Sequence, residues 1–456
     1  MSGRVTRRQL LWGAGCASLG AGGWLWLGDR APGGEAGGLG PLRRDPAGAI
    51  DLPPGFRYVV CSRTGERMDD GLRVPAAHDG MGAFPGPDGL TVVVRNHELG
   101  LTGGAFGAGD EGLTGALRGL LYDPGRGGPV PQGGTTTLVF DTRRQAPVRE
   151  FLSLAGTLAN CAGGATPWGT WLSCEECHVA PEGPCAQPHG YVFEVPAAAT
   201  PRLAPPAPLP ALGRFWHEAV AIDPATGLVY QTEDRGDGLV YRFVPDAPGD
   251  LRAGRLQALV LASALGADTT NRGDAPRIRP GEDLRARWID LDDVDAPGDD
   301  LRHRGHAAGA ARFTRAEGMV AADGAILFAC TDGGPAGRGQ LWRYTPDRGE
   351  PEGGPGEVGG TLTLVAEPSG PAGFQGIDNL CLAPWGDVVA CEDGQAPNHV
   401  VGVTPAGEVY PLARNALNTS EVTGATFSPD GTTLFFNVQR PGLTVAVTGP
   451  WPRRPR

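Results

Sequence analysis

The stretch Glu218-Ala219-Val220-Ala221-Ile222-Asp223-Pro224-Ala225-Thr226-Gly227-Leu228-Val229-Tyr230-Gln231-Thr232-Glu233 sets an acid at each end, small and apolar residues inside, and a Pro/Gly turn before a β-branched and aromatic run. That order spells a β-hairpin. The same fifteen-residue separation recurs between Cys161 and Glu176, Glu317 and Asp332, and Asp378 and Asp393, each pair bracketing an equivalent pattern such as Ile326-Leu327-Phe328. In an antiparallel pair the first residue of one strand meets the last of the other, so each repeat delivers polar groups to one end of its hairpin. Four repeats can thereby build one site.

Two further segments share the hairpin with altered ends: Gly82 to Glu98, turning at Pro87-Asp88-Gly89, and Glu421 to Gln439, turning at Ser428-Pro429-Asp430-Gly431. Third-strand candidates follow at Thr135 to Phe140, Gly190 to Val195, Leu239 to Val244, Gln340 to Thr345, His399 to Thr404 and Leu443 to Val447, with a weaker fourth such as Val148 to Leu152. Units of four antiparallel strands with unequal loops are the sequence pattern of propeller blades. The expected fold is all-β, a six-bladed β-propeller with long decorating loops. Its last blade lacks an outer strand near Val447, and Phe56-Arg57-Tyr58-Val59-Val60-Cys61 is expected to supply it, closing the ring and removing two sheet edges.

Composition agrees with this architecture. The 456 residues include 74 Gly and 43 Pro, which fits many turns, and long amphipathic helical stretches are absent. A single propeller domain over residues 50–450 is expected, with Gly103 to Gly133 and Ser263 to Arg312 as decorating insertions. A formal charge of -12 argues against nucleic-acid binding and leaves room for bound cations. Residues 1–31 read as a targeting segment: Thr6-Arg7-Arg8-Gln9-Leu10-Leu11 and the Gly-rich apolar stretch to Leu27 resemble a twin-arginine export signal. The chain is expected to leave through the twin-arginine export machinery, folded and cofactor-loaded, and to act as a monomer in the periplasm or outside the cell.

Nine cysteines in an exported chain make a disulfide the first expectation for a close pair, and Cys177 with Cys185 is the candidate. Cys174-Glu175-Glu176-Cys177-His178 has a two-residue cysteine spacing but no second such pair, which disfavours a structural zinc site. Strand alternation points Cys174 and Glu176 the same way. Cys330 and Cys391 stand where a small apolar residue belongs and read as core thiols.

Cys161 differs, because in Asn160-Cys161-Ala162-Gly163-Gly164 it holds the inner-strand position that Glu218, Glu317 and Asp378 hold in other repeats. Innermost strands line a propeller's channel, so these four side chains are expected to converge near the axis. Buried anions must be compensated or take up protons, and bound cations are the expected compensation. A thiolate among hard oxygen donors favours a transition metal such as iron, while the surplus of carboxylates, including Glu98, Glu176 and Glu421, suits calcium as well. Arg315, two residues before Glu317, falls on the same face of its strand. Its planar fork suits a phosphate, and an internal salt bridge to Glu317 fits the same position. His217 and His97 adjoin acids but point oppositely, so both are expected to pack.

Arg95-Asn96-His97-Glu98, the run from Asn160 to Glu176, His217-Glu218-Ala219-Val220, Arg315-Ala316-Glu317-Gly318, Ile377-Asp378-Asn379 and Phe427-Ser428-Pro429-Asp430-Gly431 together resemble the PhoX-type alkaline phosphatases. The resemblance implies a twin-arginine-exported, six-bladed propeller phosphatase with iron and calcium at its axial site. It implies Cys161 as iron ligand, Glu218, Glu317 and Asp378 holding iron or calcium, and Arg315 on the phosphate of a small phosphate ester. Hydrolysis would proceed without a protein nucleophile, since no serine or histidine occupies the axial set. Two readings of other classes stand beside it: a metal-stabilised binding propeller without activity, and a calcium-dependent lactonase-type hydrolase. Neither needs a phosphate clamp at Arg315, and the lactonase needs no thiolate at Cys161.

Overall fold

Branched and aromatic runs punctuated by Gly, Pro and Asp turns make nearly every regular segment a strand. The computed structural model describes residues 39–102, 117–127, 129–273, 277–347, 358–370 and 372–452. Over these residues the fold is all-β and propeller-like, with one α-helix, α1 (Leu301–Ala307). The expected targeting segment, and residues 103–116 and 128 of the insertion from Gly103 to Gly133, lie outside the described residues.

Two short strands come first, β1 (Ile50–Asp51) and β2 (Arg57–Arg63). The sheet β3 (His78–Pro85), β4 (Thr91–His97), β5 (Gly133–Asp141), β6 (Ala146–Thr157) is a plain antiparallel meander, and β7 (Asn160–Ala165), β8 (Thr170–Glu175), β9 (Val192–Pro196) form a three-stranded one. Next come β10 (His217–Ile222), β11 (Val229–Glu233), β12 (Val240–Pro245) and β13 (Gly254–Leu261), then β14 (Asp283–Asp290). The meander β15 (Ala316–Ala322), β16 (Ala325–Cys330), β17 (Gln340–Pro346), β18 (Gly360–Ala366) follows, and β14 pairs with both β13 and β18, fusing the two units into a nine-stranded sheet. Thus the expected insertion from Ser263 to Arg312 is more than decoration, because Leu259↔Trp288 and Leu284↔Leu362 give it ladder partners on both sides.

The sheet β19 (Ile377–Leu382), β20 (Val388–Glu392), β21 (His399–Val403), β22 (Val409–Asn415) takes β1 on its outer edge. The last, β23 (Val422–Phe427), β24 (Thr433–Val438), β25 (Leu443–Thr448), takes β2, with Tyr58 opposite Val447. This is the closing strand expected from Phe56 to Cys61.

First strands of the successive antiparallel units touch in a closed cycle, β3 to β7, β10, β15, β19, β23 and back to β3. They approach closely because they carry so little side chain: a Cβ on Gly318 would overlap the carbonyl oxygen of Asp378, and one on Gly164 that of Val220. Apolar clusters fill the spaces between sheets, as where Tyr230, Phe313, Phe328, Trp342 and Tyr344 pack together. Cys330 and Cys391 are buried in such clusters.

Candidate metal centre at the hub

Every inner strand carries the same irregularity. The pairs His78↔His97, Asn160↔Glu175, His217↔Glu233, Ala316↔Cys330, Ile377↔Glu392 and Thr423↔Asn437 are each followed by a register shift. The residue after each paired one is Asp79, Cys161, Glu218, Glu317, Asp378 or Gly424. A bulge leaves such a residue out of the ladder and re-aims its side chain. The recurrence of anionic residues therefore marks bulges rather than ordinary strand positions.

These side chains meet. Cys161 Sγ lies 3.4 Å from Glu218 Oε1. Donor atoms of Cys161, Glu176 and Glu218 all fall within 4.8 Å of one another. Glu317 lies beside Asp378, and Glu176 beside Asp234. Gln439 donates from Nε2 to Asp79 Oδ2 and to Glu98 Oε2, 2.9 Å each. Glu421 faces Asp393, Glu98 and Glu317. So the structure gathers Cys161, Glu218, Glu317, Asp378, Glu98, Glu176, Glu421 and Arg315 around one centre.

Sequence reasoning misses Asp79 and Asp234 and treats Asp393 only as a hairpin end. Asp79 holds in β3 the place that Cys161 holds in β7, a match hidden when the hairpin is begun at Gly82. Glu233 is the converse, an expected hairpin end that points away from the centre. It accepts hydrogen bonds from Tyr241 Oη at 2.7 Å and from the Leu239 amide at 3.2 Å, so the next residue, Asp234, faces inward instead. Asp332 accepts from Thr314 at 2.6 Å and pairs with Arg272 at 3.4 Å.

Burial sets the electrostatics. It pushes the carboxyls of Asp79, Glu176, Glu218, Glu317, Asp378 and Glu421 well above the usual range, and the neighbouring acids push further. Glu98 is raised to about 6, again by burial, with Arg440 pulling the other way. The Cys161 thiol is held high by burial and then by Asp79 and Glu218. Asp79 Oδ1 is buried with no hydrogen-bond partner among the described residues. An unpartnered carboxylate oxygen among so many acids is the position a cation fits.

Arg315 supplies local compensation. It stands just before β15 with φ 45°, so it reaches Glu317 through a left-handed turn and a bulge, not by the strand alternation expected. Its Nε and Nη2 donate to Asp234 at 3.1 Å, and Nη2 sits 2.5 Å from Glu317 Oε1. The side chain is still 36% exposed, so the guanidinium is both salt-bridged and open to a ligand.

The neighbours fall into place by packing. His217 stacks on Phe215 at 3.6 Å and hydrogen-bonds the Gly213 carbonyl at 3.0 Å, and burial pushes it down to about 3. His97 sits between the Ala76 carbonyl and Thr136 Oγ1, at 2.9 and 2.8 Å. Cys174 departs from expectation: it packs with Leu172 and Val192, while Glu176 lies past the end of β8, bridged to Trp216. Cys177 and Cys185 are free thiols in place of the expected disulfide, and Cys185 turns toward Asp123 and His189.

The family described as "Alkaline phosphatase PhoX" matches residues 37–125 and 128–442. The chain has no match among curated protein sequences. Among solved structures, Pseudomonas fluorescens PhoX in complex with vanadate, a transition state analogue, is similar at 19% identity and a TM-score of 0.62, covering 88% of this chain and 96% of that one. A gluconolactonase from Xanthomonas campestris is 12% identical with a TM-score of 0.34, covering 87% and 99%. The Cps50 β-propeller domain of Myceliophteria thermophila is 9% identical with a TM-score of 0.40, covering 86% and 100%.

Proposed function

The chain belongs to the PhoX alkaline phosphatase family, and from that premise we propose that it hydrolyses phosphate monoesters at a cation-loaded hub. One observation carries this reading: anionic side chains from separate sheets crowd one centre, beside a partly exposed arginine, with a buried oxygen of Asp79 left unpartnered. The vanadate complex of the Pseudomonas fluorescens protein supports a phosphate ester as substrate class here too.

Iron and calcium are the cations we infer. Cys161 is the soft donor that would hold iron, and Asp79, Glu98, Glu176, Glu218, Glu317, Asp378 and Glu421 are hard donors that iron and calcium would share. At such a site bound metals would supply charge neutralisation and Lewis-acid assistance to hydrolysis. The chain's own residues do the rest. Arg315, whose Nε and Nη2 are held by Asp234 and Glu317, would offer the N–H groups of Nη1 to the phosphoryl oxygens. Gln439 fixes the spacing of the Asp79 and Glu98 carboxylates. Cys161, buried with its thiol held protonated in the metal-free protein, serves as ligand rather than nucleophile.

We count six blades by dividing the nine-stranded sheet at β14 and giving β2 to the last sheet, a count supported by the cycle of inner strands. One domain over residues 50–450, a twin-arginine leader at 1–31, a periplasmic or extracellular location and a monomeric state complete the proposal.

Metal-replete protein assayed on p-nitrophenyl phosphate tests it. Turnover that depends on Arg315 is expected, together with iron and calcium on elemental analysis. Folded, metal-replete protein without phosphatase turnover would overturn the assignment, and calcium alone would overturn the iron site.

A further inference from the structure

Outside the hub set, Asp123, Cys185 and His189 bring a carboxylate, a thiol and an imidazole within 4.8 Å of one another, all three buried. They come from two stretches distant in sequence, the segment before β5 and the loop between β8 and β9. His189 is held from both sides: Nδ1 lies 2.6 Å from Glu175 Oε1, and Nε2 lies 3.2 Å from Asp123 Oδ2. Glu175 is itself fixed by the amides of Leu158, Gly190 and Tyr191. Asp123 is fixed by those of Gly125, Ala186 and Gln187. An imidazole with one nitrogen clamped by a carboxylate and the other turned to a carboxylate and a thiol is the arrangement metal-bound histidines use. Two nitrogen or oxygen donors on a tetrahedral zinc ion sit about 3.3–3.6 Å apart, given bonds of about 2.0–2.2 Å. The observed 3.2 Å between Nε2 and Oδ2, a hydrogen bond here, needs only a small separation of the two atoms to reach that spacing.

We propose that Asp123, Cys185 and His189 bind one zinc-like divalent cation, with Glu175 as the positioning residue for His189. One sulfur, one nitrogen and one oxygen suit zinc and exclude a calcium-type oxygen cage. Binding releases the Cys185 thiol proton and any proton on His189 Nε2, and the Asp123 carboxylate and Cys185 thiolate together balance the divalent charge. The cation pins the loop that starts at Glu176 to the segment around Asp123, so it braces one side of the hub without touching the reaction. The inference does not depend on the phosphatase reading.

Zinc content and zinc-edge X-ray absorption of the holoprotein, hub metals in place, test the site. About one zinc per chain is expected, with a single sulfur at about 2.3 Å in its shell. The zinc should be lost in Cys185→Ser and kept in Cys161→Ser, and Glu175→Gln should weaken it by about 10- to 100-fold. Should Cys185→Ser misfold, Glu175→Gln and the zinc shell of the Cys161→Ser protein decide. A zinc shell without sulfur, zinc equally retained in Cys185→Ser, no tightly held zinc, or a Cys177–Cys185 disulfide in unreduced peptide mass spectra would each overturn the proposal.

Discussion

Arg315 shows what a single side chain contributes at this hub. Its left-handed backbone and two carboxylate partners fix a guanidinium in place before any ligand arrives, so little freedom is lost on binding. Arg315→Ala is expected to lower kcat/KM on a phosphomonoester by about 10²- to 10³-fold with an unchanged circular dichroism spectrum. Arg315→Lys should recover little of it, since an ammonium cannot keep the paired bonds to Asp234 and still aim a donor at the phosphate. Asp79 is the complementary case, an acid whose importance only the fold reveals. Asp79→Asn keeps the shape of the side chain and removes its charge, so elemental analysis should find the hub short of metal; full metal content would remove Asp79 from the ligand set. Sequence alone hides Asp79 because His78-Asp79-Gly80 runs into Gly82, and glycine-rich starts have no strand propensity to mark where pairing begins.

At the scale of elements, the repeated bulge explains both what was legible and what was not. The fifteen-residue recurrence of anionic ends could be read directly, and so could the turns at Pro87-Asp88-Gly89 and Ser428-Pro429-Asp430-Gly431, because turn chemistry is local. A bulge leaves no such mark, so the fifteen-residue count stops at Glu233 where Asp234 faces the hub, and alternation pairs Cys174 with Glu176 only if it is carried past the end of β8. The bridging strand β14 was equally illegible, since its charged, half-exposed face resembles a loop. Inner-strand glycines carry a further consequence. Gly318→Ala would press a methyl group onto the Asp378 carbonyl, one strand over. A loss of about 1–3 kcal/mol in unfolding free energy is expected, read by denaturant titration, along with reduced metal retention because the two ligand-bearing bulges are forced apart.

The whole molecule is built around a concentration of like charge, so its stability should depend on cations and on pH together. Burial raises Glu98 from 4.5 to about 6 in the metal-free fold, and raises Glu218, Glu317 and Glu421 as well. Between the unfolded and folded values the folded chain binds more protons than the unfolded one, so stability is greatest below the unfolded pKa and falls as pH rises. Chelator-treated protein should therefore show a thermal midpoint that drops as pH climbs from about 4.5 through about 6 and beyond, while metal-loaded protein shows a flatter profile. A metal-free midpoint that rises over that interval would contradict the charge argument.

The pairing of β2 with β25 joins the earliest part of the fold to the latest. A chain being synthesised can stack its middle sheets as they appear, but the seam waits for the final strand, and until then Asp79 and Glu421 stand on unjoined flanks. Until that seam closes, the ring of acids around a cation is incomplete. Cation capture is thereby tied to closure of the ring, so a hub that holds its metal also reports β2 docked on β25.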